Sequence, residues 1–555
     1  MSCFDTGGYG CLELLVRAKA GGPKAWIELK EVSGGEKRLQ NVEPGYFRRF
    51  CFPVKKETAY ELILNGCHAG LAYLSESETM METGIRYLEI SGKEELARCE
   101  RRGGVYRERY HFTPYKNWMN DPNGLCWFRG YYHLYYQYNP FSQEWDNMYW
   151  GHAASRDLIH WKDLPVCLEP QKEILDDPVR IGGAFSGSAV PIGDEKIIFF
   201  LTRHLNDKKI SRYPVEIQVM TESTDSIRFG PERTIIERDV PMTSCNFRDP
   251  KVGRGSDGRW YLVLGSCVDG VPSILYYRSE DMENWTYQGE LLRETDAIGI
   301  EAIECPDAFL LDGRMVVTAS LMRYVHEPME RQQVRYYIGN WENGRFRADT
   351  SEELDFGGNI YAVQSFEHQG RRIVVGWAAD FWKEHIPEEG GCNGSMTIPR
   401  ILSVGNGRLA MRPVEEVYGL KNRCIYQGER EPVCLPDIAG NAWYAKLEFE
   451  TSCDFRMCLM KRKNSGLYLN YENGELRLIS VLEHGKRPDG VALIREIKKI
   501  EIFVDRRMAE VFVNDGEASG TRIFYGGERG YFRAECWDRN ALAHAEVYTM
   551  NSIWT

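Results

Sequence analysis

Short runs of aromatic and β-branched residues recur along the chain, among them Tyr131-Tyr132-His133-Leu134-Tyr135-Tyr136, Ile197-Ile198-Phe199-Phe200-Leu201 and Arg372-Ile373-Val374-Val375-Gly376-Trp377, each bounded by Gly, Asn or Asp. Such runs between turn formers predict strands. Few segments hold a helical period for more than about ten residues, which disfavours an α/β barrel. Alternating stretches from Cys11 to Lys19, Ala25 to Val32 and Tyr60 to Asn65 predict a small β-rich domain over residues 1–105, parted from an aromatic-rich middle by the charged segment Lys93 to Arg102. Beyond Met396-Thr397-Ile398-Pro399-Arg400 the chain turns through Gly405-Asn406-Gly407. It then resumes strand patterning, as in Gly466 to Tyr471 and Lys499 to Asp505, so a C-terminal β-sandwich is expected over 418–555.

The middle carries a weak repeat. Ser155/Asp157/Trp161, Ser223/Asp225/Phe229 and Ser279/Asp281/Trp285 share the pattern Ser-x-Asp-x-x-x-aromatic, at spacings of 68 and 56 residues, each after a strand-like run. A recurring turn that feeds an aromatic into the next strand suits the blades of a β-propeller. Chance reuse of a common turn gives the same pattern, and the uneven spacing leaves the blades uncounted.

A chain of 555 residues is too long for one core, and 43% hydrophobic with 27% charged residues is ordinary for a globular protein. A net charge of −12 opposes nucleic-acid and anionic-membrane partners, leaving a small neutral ligand such as a sugar as the better expectation. The 16 cysteines are scattered without a Cys-x-x-Cys pair, as buried thiols in a reducing compartment would be. The first residues lack a basic stretch followed by an apolar run, and no segment approaches the roughly eighteen apolar residues of a membrane span. A cytoplasmic protein is expected.

Three of the 81 acidic residues stand among aromatic and small neighbours: Asp121 in Trp118-Met119-Asn120-Asp121-Pro122-Asn123-Gly124, Asp249 in Phe247-Arg248-Asp249-Pro250, and Glu304 in Ile303-Glu304-Cys305-Pro306-Asp307. Each has a proline within two positions, as expected where a chain turns at a strand end. Glycoside cleavage needs two carboxyl groups, one to protonate the leaving oxygen and one to attack or stabilise the anomeric carbon. Alone, each motif has a bland reading: a hairpin turn, a local ion pair, or nothing in particular. Together, three acids spaced far enough apart for separate blades fit one shared funnel.

These blocks resemble glycoside hydrolase family 32, the invertase, levanase and fructan hydrolase family. The resemblance runs from about residue 110 to the C-terminus and includes His111-Phe112-Thr113-Pro114, Tyr132 to Pro140, Trp150 to Ser155, Phe185 to Ser188, Leu354 to Gly357, Tyr361 to Phe366, Met396 to Arg400, and Phe503 to Arg506 with Glu510 to Gly516. It implies an all-β fold: a five-bladed β-propeller over 106–405, then the β-sandwich, with the N-terminal β domain as an addition. It implies retaining hydrolysis of β-D-fructofuranosyl units from sucrose or short fructo-oligosaccharides. Asp121 would be the nucleophile. Glu304 would be the general acid/base, and Asp249 would hold fructose hydroxyls and stabilise the transition state. Glu304 has to carry a proton near neutral pH, which a negative Asp121 nearby favours. Asn120, Gln137, Trp145, Phe185 and Ser186 would line the fructosyl pocket, with Arg248 fixing the acid/base. For Trp145 and Phe185 the alternative is core packing.

No metal or other cofactor is expected. Ile303 departs from the aromatic more usual in the family before the Glu-Cys-Pro-Asp block, which bears on the leaving group. A phosphorylated leaving group would call for cations, for which Arg203, His204, Arg314 and Arg323 are candidates. The leading domain is expected to brace the propeller or mediate homo-oligomerisation, a role the C-terminal domain could share, and to stay outside the catalytic site. A fructosyltransferase would use the same acids, and a silent fructan-binding protein would be expected to have lost one of them.

Overall fold

A computed structural model describes residues 2–21, 24–89, 104–209, 211–238, 240, 243–296, 299–323, 332–342, 345–382, 384–485, 487–538 and 540–554. The segment Lys93–Arg102, expected to part the first two units, lies outside the described residues. Strands dominate, and the α-helices among the described residues are the short Met80–Thr83 and Lys172–Asp176.

The chain opens with two four-stranded antiparallel sheets. Strand Cys11–Ala18 shows how they are used. Leu12, Leu14 and Val16 point into a core shared with Ile27, Leu29 and Leu62. Leu15, on the opposite face, joins Tyr46, Phe47, Leu71 and Tyr73 in a cluster that continues into Leu134 and Tyr149 of the following sheet. The period of two of a β-strand therefore gives this sheet two buried faces, one turned inward and one pressed on the rest of the protein.

Five antiparallel sheets follow, and each runs in chain order from its first strand: Asn117–Phe128, Ile181–Ile192, Thr243–Arg254, Ala302–Leu311 and Ile360–His368. Successive first strands pack side by side, and Ile360–His368 returns to Asn117–Phe128, closing a ring. The short strand Cys392–Asn393 adds a parallel pairing to Asn117 and Trp118, tying the end of the ring to its beginning. Gly405-Asn406-Gly407 turns back into Arg408–Pro413, which pairs with Arg400–Gly405, so the fifth sheet continues to Pro413.

The Ser-x-Asp repeat marks one connection in three successive sheets. In each, the aspartate Oδ1 accepts from the serine hydroxyl and from two backbone N–H groups of the turn before the sheet's last strand: Ile159 and His160 for Asp157, Ile227 and Arg228 for Asp225, Glu283 and Asn284 for Asp281. The repeat is a side-chain-capped turn and not chance.

The three acid motifs do not turn the chain at strand ends. All lie inside first strands, where the register slips by one residue between Met119 and Pro122, Arg248 and Lys251, and Glu304 and Asp307. The other two first strands bulge at the corresponding level, between Ala184 and Gly187 and between Tyr361 and Gln364. A proline in a central strand removes a ladder donor, and a bulge is where that loss is tolerated. Asp-Pro-Asn-Gly thus belongs to a bulged strand and not to a hairpin.

Two six-stranded sheets form the C-terminal sandwich. Its seam with the ring is charged and fully buried: His111 Nδ1 lies 2.9 Å from Asp505 and its Nε2 3.3 Å from Glu510, while Arg400 reaches Asp355 at 3.1 Å and Glu510 at 3.2 Å. Asp505 also accepts the backbone N–H groups of Arg109, Tyr110 and His111. Buried charges persist only when paired and hydrogen-bonded in this way.

Candidate active site

The five bulges converge where the first strands meet. Their residues are Asn120-Asp121, Phe185-Ser186, Asp249-Pro250, Cys305-Pro306 beside Glu304, and Ala362-Val363 beside Tyr361. Asp249, Cys305 and Ala362 take positive φ of 67°, 47° and 49°. Each such residue costs on the order of 1 kcal/mol, held here by the surrounding ring.

The Asp121 carboxylate accepts from the Ser186 hydroxyl at 2.5 Å, from Asn120 Nδ2 at 3.2 Å and from the Cys305 thiol at 3.4 Å. Asn120 is in turn held by the Trp118 indole N–H at 2.8 Å, and Gln137 Nε2 donates to Ser186. Asp249 accepts the Cys305 backbone N–H at 2.9 Å, and Cys305 Sγ lies 3.5 Å from the same oxygen. Cys305 therefore bridges two of the acids. Burial holds its thiol well above the ordinary range, so it remains a donor.

Glu304 is held by a different set of partners. Its Oε1 receives Arg248 Nε and Nη2, each at 3.1 Å, and its Oε2 accepts the Tyr361 hydroxyl at 2.7 Å. Arg248 Nη1 donates to Glu216 Oε1 at 2.8 Å, where His204 Nδ1 also lies at 2.8 Å. Glu216 Oε2 accepts the Phe247 N–H at 2.6 Å. The His204 ring stacks on Phe185 at 4.2 Å, and Phe185 meets Trp145 edge-on at 6.1 Å.

Electrostatics follow from three carboxyls in one buried place. Burial pushes the Asp121 carboxyl up against the hydrogen bond from Ser186, and Glu304 adds to the rise. Asp249 is pushed up to about 8 by burial and by Glu304, with Arg248 pulling the other way. Like charges this close cannot all ionise, so the cluster keeps a proton at neutral pH. Burial alone would raise Glu216 too, but the charge of Arg248 and the bond from His204 hold it below the ordinary carboxylate range. The arrangement offers one carboxylate fed by hydroxyl, amide and thiol donors, and in the same cluster a carboxyl gripped by a guanidinium and a phenol.

Every sequence-derived site residue is brought to this place except Trp145, which stands at its edge, 44% exposed. Phe185 lines the same edge, so neither ring is wholly core. Of the candidate cations, His204 reaches the site through Glu216 and Phe185. Arg203 engages Glu232, and Arg314 engages Asp349 at the end of its hairpin opposite Glu304. Arg323 follows Met322, whose sulfur lies 3.0 Å from Arg248.

The sequence matches the description "Glycosyl hydrolases family 32 N-terminal domain" over residues 111–413 and "Glycosyl hydrolases family 32 C terminal" over 458–549. The chain belongs to glycoside hydrolase family 32. It is 34% identical to the sucrose-6-phosphate hydrolase of Escherichia coli over 449 residues, spanning 77% of this chain and 91% of the relative. It is 32% identical to the raffinose invertase of the same organism over 449 residues, or 76% and 90% of the two chains. A solved family 32 glycoside hydrolase from Bifidobacterium adolescentis superposes with a TM-score of 0.92 at 29% identity, covering 100% of both chains. This family 32 chain is a glycoside hydrolase of the invertase type, a β-fructosidase built on a β-propeller and a β-sandwich.

Sequence reasoning missed Glu216, His204's contact with it, Cys305 and the role of Tyr361 in this family 32 site. A signal for Glu216 was present: Val215–Ser223 alternates, and period two puts Glu216 and Gln218 on the face of Met220, a core residue. An acid on an apolar strand face needs a buried partner.

Proposed function

We propose that the protein is a retaining β-fructofuranosidase that hydrolyses terminal β-D-fructofuranosyl units of sucrose or short fructo-oligosaccharides. Asp121 attacks C2 of the fructosyl unit while Glu304 gives its proton to the leaving oxygen. Glu304 then takes a proton from water, whose oxygen displaces Asp121 from C2. Asp249 holds fructose hydroxyls, and Arg248 with Tyr361 orients Glu304. The observation that carries this reading is the division of donors: Asp121 accepts from Ser186, Asn120 and Cys305, whereas Glu304 is gripped by Arg248 and Tyr361. Asn120, Gln137, Ser186, Phe185 and Trp145 line the fructosyl pocket in this reading, and Gln137 Oε1, buried without a protein partner, accepts from a sugar hydroxyl.

The five sheets are read as five blades. The units proposed are 1–105, 106–405 extended to Pro413, and 418–555. Among the described residues no helix is long and apolar enough to cross a membrane. All fifteen described cysteines are free, which supports a reducing, cytoplasmic setting.

The test is initial-rate measurement on sucrose, sucrose 6-phosphate, raffinose, kestose, inulin and levan, for the unmodified protein and Asp121→Asn. Sucrose or kestose should give the highest kcat/KM, with water as the main acceptor. Asp121→Asn should fold and lose nearly all turnover, and retention of more than about a tenth of kcat refutes the assignment. A preference for sucrose 6-phosphate, as in the name of the Escherichia coli relative, would overturn the substrate reading. Transfer products exceeding free fructose would make the chain a transferase.

A further inference from the structure

We infer that Tyr46 and Phe47 of the leading β domain are positioning residues for Trp145, so that a unit outside both matched family regions shapes the fructosyl pocket. The inference rests on Trp145 lining that pocket. It runs against the expectation that the leading domain stands apart from catalysis.

Trp145 lies in the connection between strands Tyr131–Asn139 and Tyr149–Ser155. Its own ring has little to hold it: it is 44% exposed, and the aromatic ring beside it is Phe185, edge-on at 6.1 Å. Its place therefore depends on how the connection is anchored. Phe141, near the start of the connection, is stacked on Phe47 at 3.6 Å with the rings 10° from parallel, and Tyr46 meets Phe141 edge-on at 5.9 Å. Asp146, next to Trp145, takes the Tyr46 hydroxyl at 3.4 Å. Tyr149, at the end of the connection, donates its hydroxyl to the Phe47 carbonyl at 2.8 Å. The two leading-domain residues thus touch the connection at its start, middle and end.

The fit is tight. A Cβ at Gly70 would sit 2.3 Å from the Phe141 ring, so the sheet backbone itself closes on that side chain. Tyr46 and Phe47 are 5% and 4% exposed and belong to the cluster that includes Tyr149, not to the leading domain's own core around Ile27. On the other flank Gln143 accepts from His385 Nε2 and donates to the Glu388 carbonyl, each at 2.8 Å. The connection is clamped between the leading domain and a loop of the fifth sheet. Loosening one jaw frees Trp145, because a half-exposed ring on a flexible loop pays the ordering cost anew when substrate binds.

An aromatic wall touches the sugar in the ground state and the transition state alike, so displacing it should raise KM and leave kcat nearly unchanged. The experiment is steady-state kinetics on sucrose for the full chain and for Phe47→Ala, Phe47→Leu, Tyr46→Phe and Ile27→Ala, each checked for folding by thermal melting. Expected are a KM rise of about five- to tenfold for Phe47→Ala and about threefold for Phe47→Leu, with kcat within about twofold. Ile27→Ala, which weakens the same domain without touching the connection, should lower its melting temperature and leave KM unmoved. The inference is overturned if folded Phe47→Leu keeps the wild-type KM, or if Ile27→Ala raises KM as much. Phe47→Leu decides the matter by itself where the alanine variant does not fold. No fructose release by the unmodified protein would refute the fructosidase reading instead.

Discussion

Replacing His111 by glutamine tests how the propeller and sandwich are joined. Burial by itself would push His111 down, but its hydrogen bond to Asp505, its ion pair with Glu510 and the charges of both hold it up at about 9 against 6.5 for a free histidine. That difference of about 2.5 pH units, at about 1.4 kcal/mol per unit, is about 3 to 4 kcal/mol of stability from the protonated form. The sign follows from a raised histidine. The contribution is complete below pH of about 6.5, declines as pH rises, and is gone above about 9. His111→Gln lacks it at every pH while keeping a donor for one carboxylate. Urea unfolding followed by tryptophan emission should therefore show a gap between the two proteins that is widest near pH 6 and shrinks by about 3 to 4 kcal/mol by about pH 9.5. Comparing the difference cancels groups that titrate equally in both. A chain of this size need not unfold in one step, so the transition compared is the one that moves on substitution. A gap that is constant or widens with pH would show that His111 is neutral in the seam.

Other outcomes follow from the same geometry. With Asp249 pushed up to about 8, kcat/KM should decline as pH rises through that value and the cluster loses its proton; a profile flat to about pH 9 refutes this. Glu216→Gln leaves Arg248 to turn its whole charge on Glu304, so kcat should fall about tenfold and the alkaline limb move to lower pH; an unchanged limb would free Glu216 of any positioning role. Retention predicts that the first fructose seen by NMR is the β-furanose. Glu304→Ala should regain part of its rate on a fructoside whose leaving group needs no proton, more so with azide; the α anomer, or no rescue, refutes the roles given to Asp121 and Glu304.

Much of this protein was legible in its residues. Alternation located strands such as Lys499–Asp505, and the Ser-x-Asp turn repeated because three successive sheets use the same cap before their last strand. The acid motifs stood out because their residue order carries chemistry no turn requires. Their conformation did not stand out, since Asp-Pro-Asn-Gly is as good a hairpin as a bulge until a first strand runs through it. The seam was hidden for a related reason. His111, Arg400 and the hairpin that carries Asp505 and Glu510 lie in separate sequence blocks, and only the packed structure turns those blocks into one buried network. The same holds for Glu216 beneath Arg248 and for Phe47 against Phe141. Local sequence sets strand, turn and the kinds of side chain available, because those depend on a residue and its near neighbours. Which carboxylates share a proton, and which distant ring steadies Trp145, depends on distances between segments hundreds of residues or whole sheets apart, and tertiary packing alone decides those.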